Sequence, residues 1–246
     1  MTDFTLHQFI RDTGVESASP FCVKVHRALA YKGLAYTPHV VGSPAEMQRI
    51  NPGVGKVPVL EFNGEYLADS TRIIDWLETH HPDPPLRPAE PRLAALDRLL
   101  EDQADVGLYW FAVYMRWLVP GNFGPFAGRA FGKLPPLVRN LVPILARRTV
   151  VRQLHGQGMG RLSLDQVLAD LDAQLDTIEA LLGDAPFLLG DQLYACDLAV
   201  FGPLRQLAVP ALVESSQIIA GRPTLLDWLQ RVDAVTSGPH TIPFPG

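Results

Sequence analysis

NPGVGKVPVLEFNGEYLADS, residues Asn51 to Ser70, decides how this chain folds. Val57 to Phe62 has the β-branched and aromatic composition of a strand, Asn63-Gly64 is the strongest short hairpin signal, and Glu65 to Ala68 reads as the returning strand. Proline has no N–H to give to a ladder, so Pro58 opens the strand, sits at an edge, or takes a cis bond. Asp69-Ser70 then opens a helix through about Thr79, with Ile73, Ile74, Trp76 and Leu77 as its apolar side.

Upstream of this hairpin, Phe4 to Ile10 reads as a first strand and Arg11 to Ala18 as a loop. Ser19 is a preferred helix N-cap and Pro20 fits the first helical position; Phe21, Val25, Ala28 and Leu29 recur at helical spacing until Gly33. Tyr36 to Val41 reads as a second strand, and a loop through Pro44, Asn51 and Pro52 leads to the hairpin. A right-handed β-α-β unit followed by β-β-α makes a four-stranded mixed sheet with helices on its faces.

Downstream, the proline-rich stretch His81 to Pro91 cannot continue a helix and marks a stiff linker. Beyond it the periodicity is helical only. Leu93, Leu96, Leu100, Ala104, Gly107 and Phe111 mark one face of a long helix that becomes aromatic at Tyr109, Trp110, Tyr114 and Trp117. Leu164, Leu168, Leu171, Leu175, Ile178 and Leu182 form a core stripe, and further helices are expected near Ala195 to Leu207 and Thr224 to Val235. Between Leu118 and Arg161 lie Arg129, Lys133, Arg139, Arg147, Arg148, Arg152 and Arg161 and no acidic residue. Asp97, Glu101, Asp102, Asp105 and the acidic positions from Asp165 to Glu179 are the expected partners of this basic segment; an anionic lipid surface is the alternative, and the stacking pattern of a single-strand nucleic-acid binder is absent.

With 246 residues the chain is long enough for two ordinary domains. A net charge of −5 is mild, and no apolar run approaches the roughly 18 residues of a membrane span. The N-terminus has no secretory pattern, and Cys22 and Cys196 are too far apart in sequence to suggest a disulfide framework; a cytoplasmic location is expected. His7, His26, His39 and His155 have no companion ligands at metal spacing, so no metal is expected.

Ser19-Pro20-Phe21-Cys22, Asn51-Pro52 through Val57-Pro58, Asp69-Ser70-Thr71, and Gly190-Asp191 followed by Ala195-Cys196-Asp197 together resemble the glutathione S-transferase superfamily over the whole chain. Within it, the first and third of these motifs and Leu154 to Arg161 look like the metaxin and failed-axon-connections branch and its bacterial relatives. The resemblance implies a thioredoxin-like α/β domain (β-α-β-β-β-α) over residues 1–81, a linker over 82–90, and an all-α domain over 91–246 with a basic insertion at about 118–161. The family capping motif has serine or threonine where this chain has Tyr194, so the reciprocal capping box is expected to be incomplete.

Glutathione as co-substrate, no metal, and a homodimer are further implications. A cis bond before Pro58 would turn the Val57 backbone outward to pair with the cysteine of glutathione. Asp69 and Ser70 would hold the γ-glutamyl group at a helix N-terminus, and Lys56 the glycine carboxylate. Ser19 would stabilise the thiolate: a charge-assisted hydrogen bond contributes roughly 1.5–3 kcal/mol, and about 1.4 kcal/mol moves a pKa by one unit. Cys22, at the third helical position, is a secondary candidate for thiol chemistry; Tyr109 and Tyr114 are candidates for lining an apolar second site. The implied reaction is conjugation of glutathione to a small apolar electrophile. Reductive or ether-cleaving glutathione chemistry and a non-catalytic scaffold that meets a membrane or a partner are the alternatives.

Overall fold

The structure, a computed structural model, describes residues 4–132 and 134–245; Lys133 of the basic segment lies outside the described residues. Asn63 and Gly64, with φ of 51° and 81°, turn the hairpin between β3 (Val59–Phe62) and β4 (Glu65–Ala68). Positive φ at both central residues matches the turn to the right-handed twist of the strands. β1 (Phe4–Gln8) pairs in parallel with β2 (Tyr36–Val40) and antiparallel with β3, giving the order β2-β1-β3-β4. α1 (Pro20–Tyr31) crosses from β1 to β2, and α3 (Ser70–His80) follows β4. Phe4, Leu6, Val25, Leu29, Leu60, Ile73, Ile74 and Leu77 join the core between them.

One element is added to the expected order. The stretch read as a loop between β2 and β3 carries α2 (Pro44–Ile50), so the first domain runs β-α-β-α-β-β-α. Ser43 caps it by accepting from the Glu46 N–H at 3.1 Å, Pro44 takes the first position, and Met47 and Ile50 face inward. The whole signal is in Ser43-Pro44-Ala45-Glu46, on a helix too short to show periodicity.

The remainder is helical: α4 (Pro91–Gln103), a π-helical turn (Ala104–Leu108) and α5 (Tyr109–Trp117) run as one rod, followed by α6 (Pro120–Phe131), α7 (Pro136–Arg139), α8 (Leu141–Gln157), α9 (Leu164–Leu182), α10 (Ala195–Leu207), α11 (Val213–Ala220) and α12 (Pro223–Val235). α10 is buried along its whole length and packs on α1, α4 and α5. At its start Asp197 accepts the backbone N–H groups of Leu188 at 2.9 Å and Tyr194 at 3.0 Å and the Trp228 indole at 3.3 Å, while the Tyr194 hydroxyl turns to Gln192. The aspartate half of the capping motif is therefore built without the hydroxyl half. α11 was not expected from the sequence.

Two expectations are corrected by packing. On α4 the fully buried positions are Asp97 and Glu101, while of the stripe's leucines Leu100 packs on the core: Arg87 of the linker pairs with both acids at 2.6 Å, and Lys24 of α1 pairs with Glu101 at 2.7 Å. Leu96 of the stripe faces outward, beside exposed Leu99 and Val106. The stiff linker is also docked: Leu86 is fully buried and Arg87 is ion-paired. The basic segment is not neutralised by its neighbours either. Among the described residues only Arg129 of that segment meets a carboxylate, Asp12 at 2.7 Å, while Lys24, Arg87 and Arg222 take Asp97, Glu101, Asp105, Asp172, Asp176 and Glu179.

Sequence spacing also hid a histidine pair. His7 and His39 are register partners on the parallel strands β1 and β2.

Candidate functional site

Three segments meet at one end of the sheet: the N-terminus of α1, the loop before β3, and the β4–α3 junction. Ser19 caps α1, its Oγ accepting from the Cys22 N–H at 3.4 Å, and remains 6% exposed. Its hydroxyl proton is not committed by that bond, and the field of the helix end favours negative charge beside it.

The loop before β3 is shaped by Asn51, the C-cap of α2. Its Nδ2 donates to the Lys56 carbonyl at 2.8 Å, and its own carbonyl accepts from the Gly55 N–H at 3.0 Å. The Val57–Pro58 peptide is cis, as the resemblance implied. Among the described residues neither the N–H nor the C=O of Val57 has a hydrogen-bond partner, although the side chain is buried against Cys22, Met47, Ile50 and Val59. A backbone unit left open at the end of a strand is a place for an added strand. Lys56 beside it is exposed and unpaired among the described residues.

Asp69 stands at φ 84°, a conformation that is uncommon for a non-glycine residue and costs on the order of 1–3 kcal/mol. Three hydrogen bonds impose it: its N–H donates to the Pro58 carbonyl at 3.3 Å, and its Oδ1 accepts from Thr71 and Arg72 N–H groups at 3.1 Å each. The first N–H of α3, on buried Ser70, stays free, as does the Ser70 hydroxyl among the described residues. A free N–H at a helix start is ready for an anion.

Two buried cations, unnoticed in the sequence, fix this arrangement. Lys24 reaches from α1 to Thr71 Oγ1 at 3.3 Å, to Glu101 at 2.7 Å and to Asp105 at 2.8 Å, locking the start of α3 to the first helix and to the π turn. For Glu101, burial opposes ionisation, but the Lys24 and Arg87 charges outweigh it and bring the pKa down to about 2. Arg116 of α5 donates to the Ala18 carbonyl at 2.9 Å and to Gln206 Oε1 at 2.7 Å, while Gln206 Nε2 donates to the Ser17 carbonyl at 3.2 Å. The helical domain therefore grips the residues immediately before Ser19. The only sequence hint is an arginine inside the apolar run Tyr109 to Trp117.

The secondary candidates separate. Tyr109 is half-buried, and its ring lies 4.9 Å from that of Phe21, two residues after Ser19, so an aromatic wall stands beside the α1 N-terminus. Tyr114 is a core residue whose hydroxyl donates to the Leu162 carbonyl at 3.2 Å. Cys22 is fully buried, and burial pushes its thiol up to about 11 against the lowering effect of the Ser19 and Ser17 hydroxyls. The helix-end field that suggested a stabilised thiolate there is overruled by the loss of water. Clefts lined by Arg116 and Arg129 near Asp12, and by Arg222 near Asp172 and Glu179, lie away from this junction, and their charged groups pair with one another.

The comparisons with known proteins fall on this same framework. The family model described as glutathione S-transferase, N-terminal domain, matches residues 17–85, and that described as glutathione S-transferase, C-terminal domain, matches residues 162–231. The chain is 27% identical to the isoprene-epoxide–glutathione S-transferase of Rhodococcus sp. (strain AD45) over 238 residues, covering 93% of this chain and 97% of that protein. It is 27% identical to Failed axon connections of Drosophila melanogaster over 215 residues, 82% of this chain but 49% of that longer protein. Its fold matches a glutathione S-transferase of Methylobacterium radiotolerans in complex with glutathione sulfonate, with TM-score 0.54 and 23% identity over 100% of this chain and 97% of the other.

Proposed function

Because the chain belongs to the glutathione S-transferase family, we propose that it binds glutathione as co-substrate and transfers it to a small apolar electrophile. One observation carries this reading: the unpartnered Val57 backbone lies one hydrogen bond, Asp69 N–H to Pro58 C=O, from the free first N–H of α3. The cysteine of glutathione adds to Val57 as a short strand. Its γ-glutamyl carboxylate takes the Ser70 N–H and hydroxyl, Asp69 attracts the ammonium, and Lys56 meets the glycine carboxylate. The thiol then lies at the α1 N-terminus, where the Ser19 hydroxyl donates to the thiolate.

A thiol starting near pKa 8.5 is brought toward neutrality by one such bond plus the helix field. The thiol proton goes to solvent, the sulfur attacks carbon, and the leaving bond breaks. With an epoxide, the C–O bond opens and the alkoxide takes up a proton. An alkene epoxide is the first electrophile to test, given the full-length similarity to a transferase named for one; Phe21 and Tyr109 supply the apolar wall against which it is held. Reductive or ether-cleaving chemistry would use the same thiolate on a different electrophile. The test is retention on immobilised glutathione together with turnover of small epoxides and a chloroarene; an intact protein with neither property overturns the reading. Exposed Leu96, Leu99 and Val106 on the α4 rod supply the apolar face for a homodimer.

A second surface supports a second reading, compatible with the first. Arg139, Arg148, Arg152 and Arg161 have no carboxylate partner among the described residues, and Leu137 (95% exposed), Leu141, Ile144 and Leu145 are exposed along α7 and the first turns of α8, the end that carries Arg139 and Arg148. Arginines with exposed aliphatic rather than aromatic neighbours suit an anionic bilayer surface better than a nucleic acid. Among the described residues, no helix is long and apolar enough to cross a membrane. Salt-sensitive sedimentation with phosphatidylserine vesicles tests this reading, and no binding at low salt contradicts it.

A further inference from the structure

We propose that His7, His39 and Glu46 form a binding site for a divalent transition-metal ion of the zinc class, seated between the sheet and α2. Their donor atoms lie within 4.8 Å of one another. His7 is on β1, on the sheet face opposite Leu6, His39 is its neighbour across the β1–β2 ladder, and Glu46 comes from the first turn of α2. Two imidazoles and a carboxylate are a donor set suited to zinc, with a fourth position left for water.

The His7 side chain carries the argument. Its Nε2 lies 2.7 Å from Glu61 Oε2, and an ionised carboxylate only accepts, so the proton is on Nε2 and the lone pair on Nδ1. That Nδ1 is buried, in a residue 3% exposed, and has no hydrogen-bond partner. An unsatisfied buried acceptor is destabilising, and a metal ion is the partner that would satisfy it. The carboxylate behind the imidazole is also the usual device for fixing the tautomer and orientation of a ligating histidine.

The other two ligands are prepared in the same way. Glu46 Oε2 is held by the Gly42 N–H at 2.8 Å, while Oε1 lies 2.6 Å from His39 Nε2. His39 is exposed, so its ring proton moves to Nδ1, facing water, and a metal takes the place of that proton between nitrogen and oxygen. Zinc–nitrogen and zinc–oxygen bonds of about 2.0–2.2 Å put tetrahedral donors roughly 3.3 Å apart, which His39 and Glu46 reach by side-chain rotation. The ion would pin α2 to the sheet. α2 ends on Asn51, the residue that holds the Lys56 carbonyl, so the pinned element borders the loop before β3.

The site stands apart from the glutathione reading, and its test uses tag-free full-length protein freed of metal by a chelator. Titration with Zn2+ by calorimetry is expected to show one saturable equivalent, and Co2+ in its place to give the visible bands of a tetrahedral nitrogen–oxygen site. His39→Ala and Glu46→Gln, both on the solvent side and so expected to fold, each weaken Zn2+ at least tenfold and abolish the Zn2+-dependent rise in unfolding temperature. Glu61→Gln, which changes the carboxylate that His7 Nε2 donates to, weakens it 10- to 100-fold. Absence of a saturable equivalent in the wild type, or binding that is undiminished in His39→Ala and therefore due to other surface histidines, overturns the proposal.

Discussion

The backbone N–H of Asp69 donates to the carbonyl of Pro58 across 3.3 Å, tying the helix that begins at Ser70 to the loop that leaves Val57 unpaired. That bond and the Asp69 Oδ1 cap together stabilise φ 84° at a residue with a side chain. The capping role and the charge of Asp69 can be separated. Asn caps as well as Asp and tolerates positive φ, so Asp69→Asn is expected to keep the unfolding temperature while raising the KM for glutathione about 10- to 100-fold through loss of a charge-assisted contact. Asp69→Ala is expected to lose both. An Asn variant with unchanged KM removes Asp69 from ligand binding.

Arg116 is a positioning residue for Ser19. Arg116→Met leaves the Ala18 carbonyl and Gln206 without their donor, and is expected to lower stability by about 2–3 kcal/mol and kcat more than the KM for glutathione. Steady-state kinetics at a temperature where the variant stays folded distinguish this from simple destabilisation, since a purely structural role leaves kcat per folded molecule unchanged.

Cys22 and Cys196 are expected to be silent. Both thiols are pushed up by burial, Cys22 to about 11, so a thiol reagent at pH 8 labels neither until the protein unfolds, and Cys22→Ala retains turnover. Rapid labelling of native Cys22 together with loss of activity would instead reinstate it as a nucleophile.

Acid stability turns on His26. Burial, with nearby Arg11, Arg27 and His240, lowers its pKa to about 3, and its two nitrogens lie 2.7 Å from the Tyr36 hydroxyl and Gln8 Oε1. The unfolded chain takes up the proton from about 6.5 downward and the folded one only near 3, so stability is full above 6.5 and falls with pH through that window, by about 2 kcal/mol at pH 5. Glu101, held at about 2 by Lys24 and Arg87 despite its burial, adds to the loss below 4.5. Asp197, raised to about 6 by burial, acts in the opposite sense between roughly 4 and 6. Denaturant midpoints measured from pH 7 to 4 check this, and His26→Gln is expected to flatten the upper part of the curve.

The features that were legible in the sequence are local ones. Asn63-Gly64 announces its turn, Ser19-Pro20 its helix start and Pro58 its special peptide, because each is decided by the φ preferences and hydrogen-bonding groups of two or three neighbouring residues. The features that stayed hidden depend on what lies across the fold. Leu96 follows the helical spacing of its stripe but faces outward, since Arg87 and Lys24 draw Asp97 and Glu101 to the inside of α4. His7 and His39 become neighbours only through parallel register, and Arg116 reaches the Ala18 carbonyl, next to Ser19, by a contact between domains. Cys22 has the position of a reactive thiol and the burial of a core residue, and only the latter decides its chemistry.

The central claim is that Ser19 and the α1 N-terminus stabilise the thiolate of bound glutathione. Ultraviolet difference absorbance of the thiolate, followed from pH 5 to 10 on the saturated complex, measures it without interference from the two buried cysteines. The expected midpoint lies one to two units below the free thiol value of about 8.5 in the wild type and returns toward it in Ser19→Ala, with turnover down at least tenfold. A midpoint equal to that of free glutathione, or one that Ser19→Ala leaves unmoved, contradicts the account.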